Sequence, residues 1–304
     1  MRLLTRADFD GLCCGTILLE AGKIDSWKFV HPKDLQDGKI EVNENDILAN
    51  VPYVEGCGMW FDHHSSELER VGTEVGVEGA QYAAPSAARI VYEYFGGVDS
   101  FAHLEEMVIA ADKVDSARLT IDEIINPKGW VLLGYIMDPR TGLGRHNKFS
   151  VGNWEMIEEL MDACRDYHID ELMMLPNVAE RVEFYHKQTK LFQEMILTYS
   201  RVEGDTIITD LRGVSPIYTG NRFLPYSLFP EQNISLWVVD GLAGVNVSIA
   251  MGHSIVNRTS KVDVGKILSE FGGGGHFQVG TCQVPYDDAD STIEAFINHI
   301  ESQK

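Results

Sequence analysis

The tripeptide Asp62-His63-His64 is the strongest chemical signal in the sequence. It directly follows the apolar run 59–61, so a buried strand would end in one carboxylate and two imidazoles. Such strand ends are where open parallel sheets bind ligands. Adjacent residues on an extended backbone point to opposite faces, so we expect one histidine to hold a metal and the other to face a substrate or a carboxylate. Two histidines satisfied by local hydrogen bonds are the simpler interpretation of such a pair taken alone.

Two more carboxylates, Asp8 and Asp10, stand between a first strand at residues 1–5 and a helix that starts at Gly11. Carboxylates in that place often gather a divalent cation. Aspartate is also a favoured N-cap residue, so this segment alone supports both interpretations equally.

Three further polar residues follow predicted elements. Asn50 lies at the end of a strand at 47–51, and Asp112 and Asp115 lie at the end of a helix at 101–111. Negative charges at a helix C-terminus oppose the helix dipole, and a bound cation would explain them.

A glycine run forms the second unusual passage. Gly272 to Gly275 are followed by His276, and Arg258 lies upstream. Backbone amides of such a run can approach a phosphate closely, and an arginine can bind it through two parallel hydrogen bonds. Most glycine runs are only flexible turns. Arg145, in the positive loop 138–148, could contact an anionic substrate, although a solvated loop is the more common explanation.

The composition is that of a globular protein with room for about two domains. Hydrophobic residues make up 44% and charged residues 23% of the 304 positions. No apolar run is long enough to cross a bilayer, and the start turns polar too soon for a signal peptide. We therefore expect a cytoplasmic protein with no membrane partner. The five cysteines form no CxxC pair and predict reduced, buried thiols.

The net charge of −21 makes binding to duplex nucleic acid unfavourable. It leaves room for a local positive pocket that takes a short phosphate-bearing ligand.

Alternating strand and helix patterns predict an α/β protein with a parallel sheet in its N-terminal part. A long amphipathic helix at 177–200 would connect it to a second, smaller α/β unit. Strands of that unit are predicted at 205–211, 234–240 and 245–251.

The sequence resembles the DHH phosphoesterase superfamily. The motifs Asp8-Phe9-Asp10-Gly11, Asp62-His63-His64 and Gly272–His276 occur in its order and at about its spacing. The superfamily includes RecJ-like nucleases, oligoribonucleases, cyclic-dinucleotide phosphodiesterases and exopolyphosphatase-related proteins. The resemblance implies a DHH catalytic and metal domain at 1–175, a connector helix at 176–204 and a DHH-associated substrate-binding domain at 205–304.

The resemblance also implies roles for individual residues. Manganese or magnesium would be held by residues drawn from Asp8, Asp10, Asn50, His63, Asp112 and Asp115, with Asp112 and Asp115 as alternatives. Asp62 would orient the site and His64 would face the substrate. The terminal phosphate would be bound by Arg258, Gly273, Gly274, Gly275 and His276.

This chain departs from the family pattern at two positions. Arg6 and Leu4 stand where the family has a histidine, and Asn50 stands where a carboxylate normally bridges two ions. A neutral amide bridges two cations poorly, and two-metal chemistry needs both ions. We therefore expect at most one tightly bound ion, with the mixed oxygen and nitrogen ligands that suit Mn²⁺, and Arg6 as a fixed positive charge in place of the other.

Two functions remain. One is a metal-dependent phosphoesterase that hydrolyses a short oligonucleotide, a cyclic dinucleotide, a phosphonucleotide or polyphosphate. The other is a degenerate, non-catalytic member that binds a phosphate-bearing ligand. In either case the expected partner is a small phosphate-bearing substrate or a short single-stranded oligonucleotide. Both motifs of the resemblance are retained, which favours the enzyme. The sequence does not indicate an oligomeric state.

Overall fold

The computed structural model describes residues 1–72, 75–146, 148–241 and 244–303. The chain divides into two compact units, one of Met1–Arg118 with Pro127–Tyr185 and one of Leu119–Asn126 with His186–Lys304. No helix among the described residues is both long and apolar enough to span a membrane.

The helices are, in chain order, α1 (Phe9–Glu20), α2 (Pro32–Gln36), α3 (Ser65–Val71), α4 (Ala87–Tyr94), α5 (Gly97–Phe101), α6 (Glu105–Asp115), α7 (Ile121–Ile125), α8 (Gly129–Met137), α9 (Asn153–Asp166), α10 (Ile169–Leu172), α11 (Pro176–Tyr199), α12 (Leu224–Leu228), α13 (Val264–Ser269) and α14 (Ala289–Ser302). Short 3-10 turns lie at Ala102–Leu104, Pro139–Thr141, Leu143–Arg145 and Tyr286–Asp288.

A parallel sheet forms the centre of the first unit. Its strands are β1 (Arg2–Thr5), β2 (Ser26–Phe29), β3 (Asp46–Ala49), β4 (Met59–Asp62) and β5 (Glu78–Gln81), in the spatial order β2-β1-β3-β4-β5. β3 and β4 are buried over their whole length, as expected for central strands covered on both faces. The strand order reverses between β1 and β3, and ligands of such sheets bind in the crevice beyond that switch point.

The turn from β1 into α1 is tight. Asp8 is the N-cap of α1, and its Oδ1 accepts a hydrogen bond from Gly11 N at 2.9 Å. A Cβ at position 11 would collide with the carbonyl oxygen of Arg6, so the turn requires glycine there. The same turn brings Asp8 and Asp10 to the carboxyl end of β1.

The second unit is built on a mixed sheet. Its strands are β6 (Ser200–Glu203), β7 (Thr206–Asp210), β8 (Ile234–Asp240), β9 (Asn246–His253), β10 (Gly274–His276) and β11 (Val279–Pro285), in the order β10-β11-β9-β8-β7-β6. Only β7 and β8 pair in parallel among these described strands. Its core includes Leu236, Ile249, Leu268 and Phe296, each at most 1% exposed.

The structure confirms the predicted α/β class, with its N-terminal parallel sheet, long helix and second unit. Four strands lacked a sequence signal, namely β5, β6, β10 and β11. The prediction of an open nest of amides at the glycine run is corrected, because Gly274 and Gly275 pair with Thr281 and Gly280 in a hairpin at one end of the sheet. The five cysteines are free and buried, as expected.

Candidate functional site

Polar side chains gather beyond the carboxyl ends of β1, β3 and β4. Asp8 follows β1, Asn50 follows β3, and Asp62 is the last residue of β4. Asn50 lies in the left-handed region, with φ of 58°, which asparagine adopts more readily than most residues. Its backbone N–H donates to Phe61 O at 3.1 Å, which ties the end of β3 to β4. These strand ends lie at the ligand-binding edge of the sheet.

Asp10, His63 and Asp115 form a cluster that could hold a metal ion. His63 Nε2 lies 3.8 Å from Asp10 Oδ2 and 3.3 Å from Asp115 Oδ2. His63 Nδ1 lies 3.2 Å from the carbonyl oxygen of Ala84, which assigns the proton to Nδ1 and leaves the Nε2 lone pair directed elsewhere. Two carboxylates and one imidazole nitrogen thus converge within a cation's reach.

The cluster contains buried acceptor atoms without donors. Within the described residues His63 Nε2, Asn50 Oδ1 and Asp62 Oδ2 are buried and have no hydrogen-bond partner. Buried polar atoms are nearly always paired, so unpaired acceptors at one sheet edge indicate that a donor or a cation binds there. The donor set of this edge therefore fits a divalent metal ion.

Electrostatics within the cluster point the same way. Asp10 is 2% exposed, and burial, then the charges of Asp115 and Asp8, hold its pKa well above its usual range. The amide N–H groups of Ala87 and Ala88 donate to Asp10 at 3.0 and 2.7 Å and act in the opposite direction. Burial also raises the pKa of Asp115. A cation between the two carboxylates would offset both burial and mutual repulsion.

Asp112 does not join this cluster. Its Oδ1 accepts from Ser86 Oγ at 2.7 Å, and its Oδ2 accepts from Arg89 Nε and Nη2 at 2.9 and 2.7 Å. The spacing left Asp112 and Asp115 as alternatives, and the geometry brings only Asp115 to His63. Asp112 instead fixes α6 against the N-terminus of α4.

Asp8 meets a competing set of donors. Besides capping α1, its Oδ1 accepts from Asn50 Nδ2 at 3.0 Å, and its Oδ2 lies 3.1 Å from Arg6 Nε. Asp8 is thus a helix cap as well as a member of the acidic edge. Both carboxylate oxygens of Asp8 therefore already contact donors from the protein itself.

Asp62 and His64 form a hydrogen-bonded pair. His64 Nδ1 lies 2.7 Å from Asp62 Oδ1, and Asp62 is 1% exposed. Burial lowers the pKa of His64, but the hydrogen bond and charge of Asp62 outweigh it, so that the net shift is upward. The charges of Asp115 and Arg6 also act on this imidazole, which places it beside the cluster.

Two further residues at this edge of the sheet were not predicted as site residues from the sequence. Asp138 and Arg140 line a cavity of about 20 Å³ with Asp8, Asp10 and Asp115, enough for roughly one water or ion. Arg140 Nε donates to Asp138 Oδ1 at 2.8 Å, and its side chain is 52% exposed. The positive charge of the loop 138–148 is the sequence signal that points to this region.

Arg145, the arginine predicted from that loop, is exposed. Its Nε donates to Gly142 O at 3.4 Å. Among the described residues, Arg140 and not Arg145 lines the cavity beside Asp10 and Asp115.

The predicted phosphate-binding residues belong to the second unit. His276 is exposed on β10, and Arg258 is exposed with its Nε donating to Ile255 O at 3.0 Å. Cβ atoms at Gly273 and Gly275 would collide with β11, whereas a Cβ at Gly274 would meet no atom within 4 Å. The fold thus explains Gly273 and Gly275 but places no steric demand on Gly274.

Comparison with solved structures gives close and distant matches. The pGpG-specific phosphodiesterase PggH from Vibrio cholerae matches with a TM-score of 0.90 and 42% identity, over 100% of this chain and 99% of that one. The DHH domain of a protein described as a member of a family of ribosomal proteins matches with a TM-score of 0.61 and 14% identity, over 100% of this chain and 87% of that one.

RecJ from Thermus thermophilus, solved in complex with Mn²⁺, matches with a TM-score of 0.58 and 12% identity, over 98% of this chain and 52% of that one. These last two matches show a shared fold. No family model and no curated protein matches the sequence. With full-length similarity at 42% identity and the Asp-His-His edge in place, the chain belongs to the DHH phosphoesterase superfamily.

Proposed function

We propose that the protein is a manganese-dependent phosphodiesterase that hydrolyses short linear dinucleotides of the pGpG type. One observation carries this proposal: buried acceptors without donors, His63 Nε2 foremost, lie at the sheet edge beside Asp10 and Asp115. The similarity to a pGpG-specific phosphodiesterase supports the choice of substrate.

Asp10, His63 and Asp115 are the proposed ligands. Mixed carboxylate and imidazole donors suit Mn²⁺. When bound, the ion would polarise a phosphoryl oxygen and lower the pKa of a water molecule. The amides of Ala87 and Ala88 orient the Asp10 carboxylate, and the carbonyl of Ala84 fixes the His63 tautomer. Such supporting contacts govern metal affinity nearly as much as the ligands do.

A single ion is favoured over two. Arg6 and Asn50 engage both oxygens of Asp8, and Arg6 puts a permanent positive charge where a second ion would need carboxylates. The amide of Asn50 offers one neutral oxygen. Each of these features weakens a second cation site.

His64 is the proposed proton donor to the leaving oxygen. Asp62 accepts from its Nδ1 and favours the imidazolium, which leaves the proton on Nε2 for transfer. Arg6 and Arg140 supply positive charge next to the carboxylates and would stabilise charge that develops on the phosphoryl oxygens. In this arrangement the protein supplies acid catalysis and electrostatic stabilisation around one ion.

The second unit is the proposed substrate-binding part. Arg258 and His276 can donate to a terminal phosphate, and Gly274 has the open space that a close backbone approach needs. We accordingly assign catalysis and metal binding to the residues before the long helix, and binding of the terminal phosphate to those after it.

The test is hydrolysis of pGpG by purified protein with and without Mn²⁺, compared with a cyclic dinucleotide and with polyphosphate. We expect GMP from pGpG only, about one Mn²⁺ per chain after dialysis, and loss of both in His63→Gln. His103→Gln is the matched control, because His103 is exposed within the same unit. Mn²⁺-loaded protein that binds pGpG without turnover would instead make it a non-catalytic binder.

A further inference from the structure

A separate cavity of about 340 Å³ lies in the first unit. Its walls include Leu143, His146, Phe149, Val151, Asn153 and Arg181. That volume is at the lower end of the range for small-molecule sites, so it suits one ring system and its sugar rather than a whole dinucleotide.

Arg181 lines the cavity, but its guanidinium already donates hydrogen bonds to the backbone. It is 2% exposed, its Nη1 donates to Asn177 O at 2.8 Å, and its Nη2 donates to Val151 O at 2.6 Å. Its guanidinium carbon lies 4.5 Å from the centre of the Phe149 ring. The guanidinium thus stacks on the Phe149 ring. Its Nη1 and Nη2 groups, which could bind a phosphate, instead donate to backbone carbonyls.

The N-terminus of α9 does not favour an anion either. The Glu155 carboxylate lies so close to Gly152, the N-cap residue, that a Cβ there would collide with it. Glu180 accepts from Ser150 N at 2.8 Å nearby. With one carboxylate against Gly152 and another against Ser150, the cavity is suited to a neutral, planar ligand.

Its polar and aromatic groups match a nucleobase. Phe149 lines the cavity. One face of its ring is covered by Arg181, so a base would stack on the opposite face, and base–aromatic stacking is tolerant of sequence. Asn153 carries a donor and an acceptor, and its side chain makes no hydrogen bond within the described part of the chain. Burial, then the charges of Arg145 and Lys148, lower the pKa of His146, which favours the neutral form of this imidazole.

The cavity lies within reach of the metal cluster. Arg140 lines the small cavity beside Asp10 and Asp115, and Leu143 lines this one. Three residues of chain span at most about 11 Å between Cα atoms. That distance is of the order of one nucleotide.

We propose that this cavity, lined by Leu143, His146, Phe149, Val151, Asn153 and Arg181, binds one purine base of the dinucleotide substrate. The inference rests on the proposed function and adds the part of the enzyme that distinguishes a nucleotide from any other phosphodiester. Phe149 stacks on the base and Asn153 reads its edge.

The experiment measures GMP and ribose 5-phosphate binding by calorimetry in Mn²⁺-free buffer, so that hydrolysis plays no part. We expect Phe149→Leu and Asn153→Ala to weaken GMP binding about tenfold, within the range that base stacking supports. Ribose 5-phosphate affinity should not change. Glu158→Gln is the control, since Glu158 is exposed on α9, the helix that begins at Asn153, and does not line the cavity.

Equal affinity of wild type and both variants for GMP would overturn the inference, and so would equal losses for GMP and ribose 5-phosphate, which would indicate a phosphate site. Absence of GMP binding to the wild type would overturn it as well. Hydrolysis of pGpG with Mn²⁺ is measured separately. Normal GMP binding without turnover would therefore refute the proposed catalysis while leaving the base site standing.

Discussion

Asp112 and Asp115 are one helical turn apart on α6 and have opposite kinds of partner. Asp112 lies against the cation of Arg89, whereas Asp115 lies against His63 and close to the buried carboxylate of Asp10. A carboxylate beside an arginine stabilises the metal-free fold, and one beside another carboxylate does not. The two residues should therefore respond differently to the same change.

Asp115→Asn should lower Mn²⁺ affinity by more than the roughly 10- to 100-fold that loss of an outer-shell partner costs. The free energy of unfolding of the metal-free protein should not fall, because the change removes a charge that repels Asp10. Titration calorimetry with Mn²⁺ and urea unfolding of the metal-free protein measure the two quantities.

Asp112→Asn is the matched comparison. It weakens the charged hydrogen bonds from Arg89 and should reduce the free energy of unfolding by about 1–3 kcal/mol, with one Mn²⁺ still bound. If Asp112→Asn lost the ion and Asp115→Asn kept it, our assignment of the ligand would be reversed.

No sequence spacing could separate these two residues. Both fit the end of a helix. What distinguishes them is Arg89, which pairs with Asp112 from a different helix, and no charge pattern around Arg89 indicates that pairing. The position of Asp62, His63 and Asp10 at the sheet edge was predictable, because each residue follows or starts an element with a clear apolar signal. Asp138 and Arg140 were not, since nothing local shows that their loop returns to the carboxyl end of β1.

At the scale of elements, the N-terminus of α4 organises the site. Its amides at Ala87 and Ala88 hold Asp10, and its N-cap Ser86 donates to Asp112 on α6. One helix start thus fixes side chains from α1 and α6 together. N–H groups at a helix N-terminus favour negative charge, so these two amides oppose the upward shift in the pKa of Asp10 that burial causes.

The hairpin of β10 and β11 separates the glycines that the fold requires from Gly274, which we propose for substrate binding. Gly273→Ala should destabilise the protein by about 1–3 kcal/mol, because the added methyl group overlaps Thr281 and Cys282. Gly274→Ala should change the free energy of unfolding by no more than about 0.5 kcal/mol. Binding of pGpG should nevertheless weaken in Gly274→Ala, since a methyl group would occupy the space for the phosphate.

Urea unfolding and pGpG titration of both variants test this pair. A Gly274→Ala protein with unchanged stability and unchanged affinity would remove the glycine run from the substrate site. β10 and β11 were hard to predict for a related reason: glycine is depleted in strands, and their pairing depends on partners far along the chain rather than on local propensity.

At the scale of the whole molecule, the charge of −21 opposes polyanions. Each added phosphate raises the repulsion at long range, while the local arginines can compensate only for a short substrate. The predicted fold class and acidity were both accessible from composition and pattern, because they depend on many residues at once.

We therefore expect kcat/KM to fall as the oligonucleotide grows from two to ten nucleotides. The difference in kcat/KM between the short and the long substrates should become smaller when salt is raised from about 0.02 M to about 0.2 M, since the Debye length shortens. Initial rates at matched Mn²⁺ measure it. A preference for the longer substrate, or a gap that widens with salt, would indicate a basic track that we have not identified.

The buried thiols have a practical consequence. Burial raises the pKa of Cys57 to about 11, of Cys164 to about 12 and of Cys282 to about 11, and holds those of Cys13 and Cys14 well above the usual value. Maleimide and iodoacetamide react with exposed thiolates. A fluorophore could thus be attached to a new surface cysteine on this folded chain without first replacing the native five.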